Sequence, residues 1–349
     1  MATIKELAGV CGVSVATVSN VLNGTGRVGA ETTQRVLETA KEIGYVPNML
    51  AKGLRQRGTR TVGIIVEDLT VFNSVHIVDG INKYLDEHDY TFILGNLRLY
   101  QKFGNAFSHN EYYYREVERE FQMMQSKQVD GLIYIGAHSR EIKSIPNSLK
   151  EPLVVAYGYA QESRIPSVTY DDEKGAYDAT MELIKRGHTR IGLIQGERES
   201  MHTERRMIGY QKALCDSGVL FHPDYVVRAD WSREKGYQAC ETLYNKGIKA
   251  IFSMSDVMAA GVYDFAHAKH LKIGEDIVLV GFDNREISEV FDPQLATMAL
   301  PLTQIGEKAA EILLDMIDKG IALENTPELV SLTCSFVGRE SIGKPDERE

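Results

Sequence analysis

At Thr61 the spacing of the apolar residues changes, and no single layer of secondary structure accommodates both sides of that change. Beyond it, over roughly 220 residues, short apolar runs alternate with amphipathic stretches, the pattern of strands and helices in turn. The runs are Val62–Val66, Phe92–Leu94, Leu132–Ile135, Leu153–Ala156, Ile191–Ile194, Ile251–Phe252 and Ile277–Val280. Between them, Val75–Leu85, Tyr177–Lys185, Gly209–Cys215 and Ala259–Ala268 carry helical spacing. Near the end Ile305, Ala309, Ile312, Leu313, Met316 and Ile317 form one more helical stripe, followed by a strand-like Leu329–Val337. Such alternation predicts an α/β body of parallel sheets covered by helices. At 349 residues the chain is too long for one compact core, so two lobes are expected.

The first 60 residues read differently. Thr3-Ile4-Lys5-Glu6 is a capping box, opening a helix that should run to about Gly9. Gly12 permits a turn, and Ser14 can cap a second helix through Leu22. That helix would turn Val18, Val21 and Leu22 inward and Val15, Ala16, Ser19 and Asn20 outward. A third helix spans Glu31–Ile43 and stops at Gly44; Pro47 breaks the chain, and Asn48 can cap a further helix over Met49–Arg57. Three short helices with a glycine-bearing turn between the first two predict an all-α helix-turn-helix head.

Charge supports a nucleic-acid partner for this head alone. The chain carries −10 overall, but residues 1–60 hold eight basic and four acidic side chains, a net of +4 that leaves −14 on the remainder. A basic head on an acidic body holds a polyanion at one end only. The opening residues lack a signal-peptide core and no apolar run reaches membrane-span length, so a cytoplasmic location without membrane contact is expected. Cys11, Cys215, Cys240 and Cys334 are scattered, which argues for buried thiols rather than disulfides or zinc.

Three pattern matches carry no weight. Gly24-Thr25-Gly26-Arg27-Val28-Gly29 fits a dinucleotide fingerprint but follows a helix, not a strand. Gly338-Arg339-Glu340-Ser341-Ile342-Gly343-Lys344 approaches a phosphate loop, but Pro345 stands where the magnesium-holding hydroxyl belongs. His267 and His270 have no third ligand in view and read as a solvated helix face. With no nucleophile elbow, zinc helix or distinctive carboxylate pair, neither an enzyme nor a bound cofactor or metal is expected.

The strings Thr3-Ile4-Lys5-Glu6-Leu7-Ala8, Gly12-Val13-Ser14-Val15-Ala16-Thr17-Val18-Ser19-Asn20-Val21-Leu22-Asn23 and Gly44-Tyr45-Val46-Pro47-Asn48 closely resemble the head of the LacI/GalR regulators. The resemblance implies that Val15, Ala16 and Asn20 read bases in the major groove. It places Ser14, Thr17 and Ser19 where hydroxyls reach phosphates or cap amides. Residues 48–55 resemble the family's hinge helix, with Asn48, Ala51 and Leu54 as DNA-contacting positions and Leu54 as a minor-groove wedge. Gly29 departs from the phosphate-contacting serine frequent in the family.

The resemblance continues through Val62–Val66, Arg186–Ile194, Arg206–Tyr210, Ser255–Gly261 and Val280–Asn284, and implies a two-lobed body like that of periplasmic sugar-binding proteins. It implies a cleft in which Arg206 and Asp283 anchor hydroxyls, Trp231 packs on a sugar face and Ser255 makes a polar contact, beside Asp256. Trp231 taken alone reads as core filler. Glu67, Asp68 and Phe72 follow the first strand, where α/β crevices form. Tyr157 replaces an aspartate of several relatives. The Gly95–Tyr114 segment, with Tyr100, Tyr112, Tyr113 and Tyr114, is longer than usual and could roof the cleft or be a surface excursion.

The expected organisation is a DNA-binding domain over 1–46 and a hinge over 47–60. An amino-terminal lobe takes 61–160 plus 292–325, a carboxy-terminal lobe 161–291 plus 326–340, and a tail 341–349. The expected function is a homodimeric, sugar-switched repressor on double-stranded operator DNA. A periplasmic-type sugar-binding protein and a sugar-processing enzyme are the competing readings.

Overall fold

The computed structural model describes residues 2–45, 58–104, 107, 111–146, 148–160, 165–319 and 328–343. The chain divides into two compact units, Met1–Thr61 with Gln128–Asp130, and Val62–Lys127 with Gly131–Glu349. The hinge positions Asn48, Ala51 and Leu54 lie outside the described residues.

In the first unit, α1 (Ile4–Cys11), α2 (Val15–Leu22) and α3 (Ala30–Glu42) close on a small core of Leu7, Ala8, Cys11, Val18, Val36 and Ala40. The capping box forms at both ends: the Glu6 amide donates to Thr3 Oγ1 (3.3 Å) and the Thr3 amide to Glu6 Oε2 (2.7 Å). Gly12 supplies the left-handed φ of 62° that turns α1 into α2. Helix α1 runs two residues beyond the expected Gly9, because Gly9 keeps helical geometry and the left-handed stop comes at Gly12. Asp130 receives the amides of Thr59 and Arg60, at 2.7 Å each.

The second unit contains two six-stranded sheets. Its strands are β1 (Thr61–Val66), β2 (Thr91–Asn96), β3 (Gly131–Ile135), β4 (Glu141–Ile142), β5 (Leu153–Ala156), β6 (Tyr159–Ala160), β7 (Ser167–Tyr170), β8 (Ile191–Gln195), β9 (Val226–Arg228), β10 (Ala250–Ser253), β11 (Val278–Asp283), β12 (Ala296–Ala299), β13 (Leu329–Leu332) and β14 (Ser335–Val337). The amino-terminal sheet has the order β13-β7-β5-β3-β1-β2 and the carboxy-terminal sheet β14-β12-β11-β10-β8-β9, while β4 and β6 pair by themselves. Its helices are α4 (Phe72–Glu87), α5 (Leu99–Phe103), α6 (Glu111–Ser126), α7 (Asp172–Ile184), α8 (Met201–Asp216), α9 (Arg233–Asn245), α10 (Asp256–Ala268), α11 (Ile287–Val290) and α12 (Leu302–Lys319).

Strand pairing moves three segments relative to the expected lobe boundaries. β7 and β13 pair with each other in the amino-terminal sheet, and β12 lies between β11 and β14 in the carboxy-terminal one. The chain therefore crosses between lobes after Tyr170, after Ala299 and between Leu332 and Ser335. The expected single strand Leu329–Val337 is two strands in different sheets. The start of the expected tail is also anchored: Ser341 Oγ donates to the Leu279 carbonyl (2.7 Å) and accepts the Ala296 amide (2.8 Å), and Ile342 is buried. Cys215 is exposed, unlike the other three cysteines, because it lies on the outer face of α8.

Candidate functional site

The cleft lies at the carboxyl ends of the parallel strands, where backbone ends and helix starts converge. Glu67 follows β1, Tyr157 follows β5, Ser255 lies just beyond β10, and Asp283 ends β11. Tyr157, Trp231 and Asp283 hold φ angles of 56°, 67° and 115°. Left-handed backbone at three non-glycine residues of one site is strain that the surrounding packing must hold in place.

At the centre stands Arg206, on α8. Gly209, one turn further, has no side chain and lies against the Glu173 carbonyl of α7, so the two helices approach closely enough for Arg206 to reach Asp172. Arg206 Nε donates to Asp172 Oδ1 (2.7 Å), Nη2 to the Tyr170 hydroxyl (3.0 Å), and Nη1 to the Met254 carbonyl. Asp283 Oδ1 stands 3.7 Å from Nη1, and the Phe282 ring centroid lies 3.7 Å from the guanidinium carbon. Trp231 is on the same guanidinium at 5.9 Å and packs on Gly196.

His202 joins the lobes. The Ser139 amide of the amino-terminal lobe donates to its Nε2 (3.3 Å), so Nδ1 carries the proton and donates to Asp172 Oδ2 (2.8 Å). Tyr170 stacks on the imidazole, and Tyr157 lies 5.5 Å from Tyr170 and 6.4 Å from His202. Arg285 of the carboxy-terminal lobe rests on Phe72 of the amino-terminal lobe at 4.7 Å, and the Tyr159 hydroxyl reaches Met201 Sδ at 2.9 Å.

The electrostatics separate the two acids nearest Arg206. Burial opposes ionisation of Asp172, but the adjacent His202 and Arg206 hold its carboxyl below the ordinary range. Burial dominates at Asp283 and lifts it to about 8, with Arg206 pulling the other way from its greater distance. Asp256 is raised by burial to about 6, against its hydrogen bond from Thr297.

Of the sequence-predicted effector residues, the structure brings Arg206, Asp283, Trp231 and Tyr157 into one cluster, and sets Phe72 against Arg285. The others are bonded within the protein. Glu67 is fully buried: it pairs with Arg140 through both oxygens (2.6 and 2.9 Å) and accepts from Tyr134, Tyr113 and the Ala137 amide. Asp68 accepts the Thr70 amide and hydroxyl on one oxygen and the Tyr100 amide on the other. Ser255 caps α10 by accepting the Met258 amide, and Asp256 accepts from Thr297 Oγ1 (2.7 Å) and the Arg285 amide (2.8 Å).

Of the long connection Gly95–Tyr114, residues 95–104, 107 and 111–114 are described. Tyr113, Val117, Phe121 and Met124 form the buried stripe of α6, while Tyr112 and Tyr114 point outward. Phe107 is fully buried among Tyr100, Tyr113, His138 and Arg140, and the Tyr100 hydroxyl bonds His138 Nδ1 at 3.1 Å. Burial and the neighbouring Arg140 push His138 down to about 4, so it is neutral at pH 7.

Sequence reasoning missed Asp172, His202, Tyr170 and Arg140. Asp172 had a faint signal, a second acid beside the helix-capping Asp171; the other three meet their partners only through long-range contacts.

In the head, Ala16 and Asn20 are exposed on α2 as expected. Val15 is half-buried and packs on the head core, so only part of it faces outward. Ser14 accepts the Thr17 amide (3.0 Å) and bonds the Thr17 hydroxyl (2.9 Å), and Asn23 donates to the Ser19 carbonyl and hydroxyl. Those three hydroxyls already serve the helix ends.

A helix-turn-helix head and a body of two parallel-sheet lobes around a polar cleft are the parts of a DNA-binding regulator. Residues 3–48 match the family model of bacterial regulatory proteins of the lacI family, and residues 59–340 that of periplasmic binding proteins and the sugar binding domain of the LacI family. Catabolite control protein A of Priestia megaterium is 33% identical over 328 residues, covering 91% of this chain and 93% of that protein. The HTH-type transcriptional repressor PurR of Vibrio campbellii (strain ATCC BAA-1116) is 31% identical over 349 residues, 99% of each. Among solved structures, the transcriptional regulator CelR–cellobiose complex matches with a TM-score of 0.65 and 26% identity, over 98% of this chain and 100% of that one. The lac repressor dimer bound to operator and the anti-inducer ONPF shares the fold, with a TM-score of 0.78 and 23% identity over 98% and 99%. The chain belongs to the LacI family of bacterial transcriptional regulators. It is a regulator with a DNA-binding head, not an enzyme.

Proposed function

We propose that this protein is a cytoplasmic homodimeric repressor that grips a two-fold symmetric operator through its two heads and is switched by a neutral sugar or sugar derivative bound between the lobes. One observation carries the switch: hydrogen bonds and ring contacts cross the cleft from Ser139 to His202 and from Phe72 to Arg285, so a ligand that alters lobe closure must remake them. On the DNA side, Ala16, Asn20 and the outer part of Val15 read bases, and Leu54 wedges the minor groove. On the ligand side, Asp283, Trp231, Tyr157 and Arg206 line the cleft.

The relatives support this reading by what their names state: one solved relative holds cellobiose, and another is a dimer on operator DNA. The test is fluorescence anisotropy on a palindromic site recovered by in vitro selection, with and without a saccharide panel. A steep salt dependence and a saccharide-dependent change in affinity are expected. Binding that ignores both sequence and saccharide would refute the proposal.

A further inference from the structure

The string that approaches a phosphate loop, 338–344, supplies two anchors to the carboxy-terminal lobe. Ser341 ties β11 to β12 through the Leu279 carbonyl and the Ala296 amide. Arg339, whose side chain is 9% exposed, reaches the turn that follows β11. Its Nη1 donates to Ser288 Oγ (3.1 Å) and the Leu295 carbonyl (2.8 Å), and its Nη2 to Asn284 Oδ1 (3.0 Å) and Glu289 Oε1 (3.0 Å). Ser288 Oγ donates in turn to Asn284 Oδ1 (3.3 Å), and two donors on one oxygen fix the orientation of that amide. Glu289 is 64% exposed, so solvent screens its ion pair, and the bonds to Asn284, Ser288 and Leu295 carry the anchoring.

The turn needs an anchor. Asp283 and Asn284 hold consecutive φ angles of 115° and 52°, strained backbone that only surrounding contacts keep in place. From the other side, the Asn284 amide donates to Thr297 Oγ1 (3.4 Å) and the Arg285 amide to Asp256 Oδ2 (2.8 Å). What the turn presents lies in the cleft. Asp283 Oδ1 stands 3.7 Å from Arg206 Nη1, and the Arg285 guanidinium 4.7 Å from the Phe72 ring of the other lobe. The Asp283–Arg206 separation of 3.7 Å exceeds a hydrogen bond, so that contact does not by itself fix the carboxylate.

We propose that Arg339 is a positioning residue of the cleft: by fixing the turn 284–289 it sets where Asp283 and Arg285 meet the ligand and the opposite lobe. This rests on the cleft being the saccharide site proposed above.

Arg339→Lys keeps the charge and most of the stem but cannot span Asn284, Ser288 and Leu295 at once. Glu289→Gln removes only the exposed ion pair. Each full-length variant is titrated by calorimetry with D-ribose, D-glucose, D-galactose, cellobiose and glucose 6-phosphate. The sugar that binds wild type should bind Arg339→Lys about tenfold more weakly, while Glu289→Gln stays within about twofold. Arg339→Ala should lose as much as Arg339→Lys. Low-millimolar guanidinium should restore it where urea does not, since only guanidinium brings both the charge and the planar fork.

A second readout needs no ligand. The charged groups that face Asp283 are Arg206 of α8, Asp172 of α7, Asp256 of α10 and Arg285 of its own turn, with the Tyr157 and Tyr170 hydroxyls and the Cys334 thiol close by. Burial lifts Asp283 to about 8, and a turn freed from Arg339 admits water to it. The stability difference produced by Asp283→Asn should therefore reach its plateau at a lower pH in the Arg339→Lys background than in wild type, as read by urea unfolding. Should Arg339→Lys fail to fold, Asn284→Gly takes its place with the same expectations. It withdraws the partner beside Asp283, suits the left-handed φ, and leaves Arg339 its other three bonds.

Unchanged sugar affinity in the folded variant, or an unchanged plateau, overturns the proposal and leaves Arg339 an anchor of the lobe alone. A wild-type protein that binds its operator yet none of the sugars refutes the saccharide reading. The plateau then decides by itself: its shift upholds the control of Asp283 by Arg339, and its constancy ends it.

Discussion

Arg206 Nε and Asp172 Oδ1 are joined at 2.7 Å by side chains only 3% and 9% exposed. The pair ties α8 to α7 in the carboxy-terminal lobe, and the other oxygen of Asp172 holds His202, whose far nitrogen takes an amide from the amino-terminal lobe. One carboxylate thus organises both Arg206 and a bond across the cleft.

Arg206→Ala should therefore do more than blunt a ligand response. It leaves Asp172 buried beside His202 alone, and removing one partner of a buried ion pair costs about 3–5 kcal/mol. Urea unfolding should show that loss, and replacing both residues together (Arg206→Met with Asp172→Leu) should cost less than Arg206→Ala alone. Equal losses would mean the pair is not coupled.

Asp283 predicts a pH dependence of opposite sign to the usual carboxylate. Burial raises its folded pKa to about 8, above the ordinary carboxylate value of 3.8. The folded state therefore binds the proton more tightly, and the associated stability is full below the unfolded pKa and is lost as pH rises through about 8. Asp283→Asn, which imitates the protonated form, should remove this component. Wild type and variant should be nearest in stability at about pH 4 and furthest apart, with the variant more stable, above about pH 8, as read by unfolding across that range.

Glu67→Ala should behave as a core lesion. Arg140 would keep its charge at 15% side-chain exposure with no carboxylate, at a cost of about 3–5 kcal/mol. Once refolded protein is selected, saccharide affinity should stay within about twofold of wild type, which is well under 1 kcal/mol. Calorimetry giving a large affinity loss without destabilisation would return Glu67 to the ligand shell.

Leu54→Ala should weaken operator binding far more than binding to random DNA, because a wedge contributes only where the base step is opened, at a few kcal/mol per step. Competition titrations at one salt concentration separate the cases, and equal losses on both DNAs would make Leu54 a packing residue.

Much of the architecture could be read from the chain in order, because it depends on neighbours in sequence. Thr3 and Glu6 meet three residues apart, Gly12 turns the chain by its own backbone freedom, and the apolar runs and stripes announce most strands and helices. The tyrosines of the long connection illustrate the limit. Their helical spacing is local, yet only the packed lobe decides that Tyr113 turns inward to Glu67 while Tyr112 and Tyr114 stay outside.

The short strands β7, β9 and β12 escaped notice because three or four residues carry little periodicity, and their assignment comes from pairing with distant strands. The same holds at the site. Sequence register singled out Arg206 and Asp283, residues whose chemistry suits a sugar whatever surrounds them. Which carboxylate Arg206 bonds, whether Asp283 keeps its proton, and whether Glu67 faces a ligand or an arginine all depend on desolvation and on partners from 34 to 77 residues away, in distances of a few ångström. The amino-acid sequence by itself determined the helix ends, the strand-helix alternation and the basic head, since these follow from local bonding and composition. Only the tertiary structure decided the lobe crossings and the charge state of the cleft, because both are set by groups that folding alone brings together.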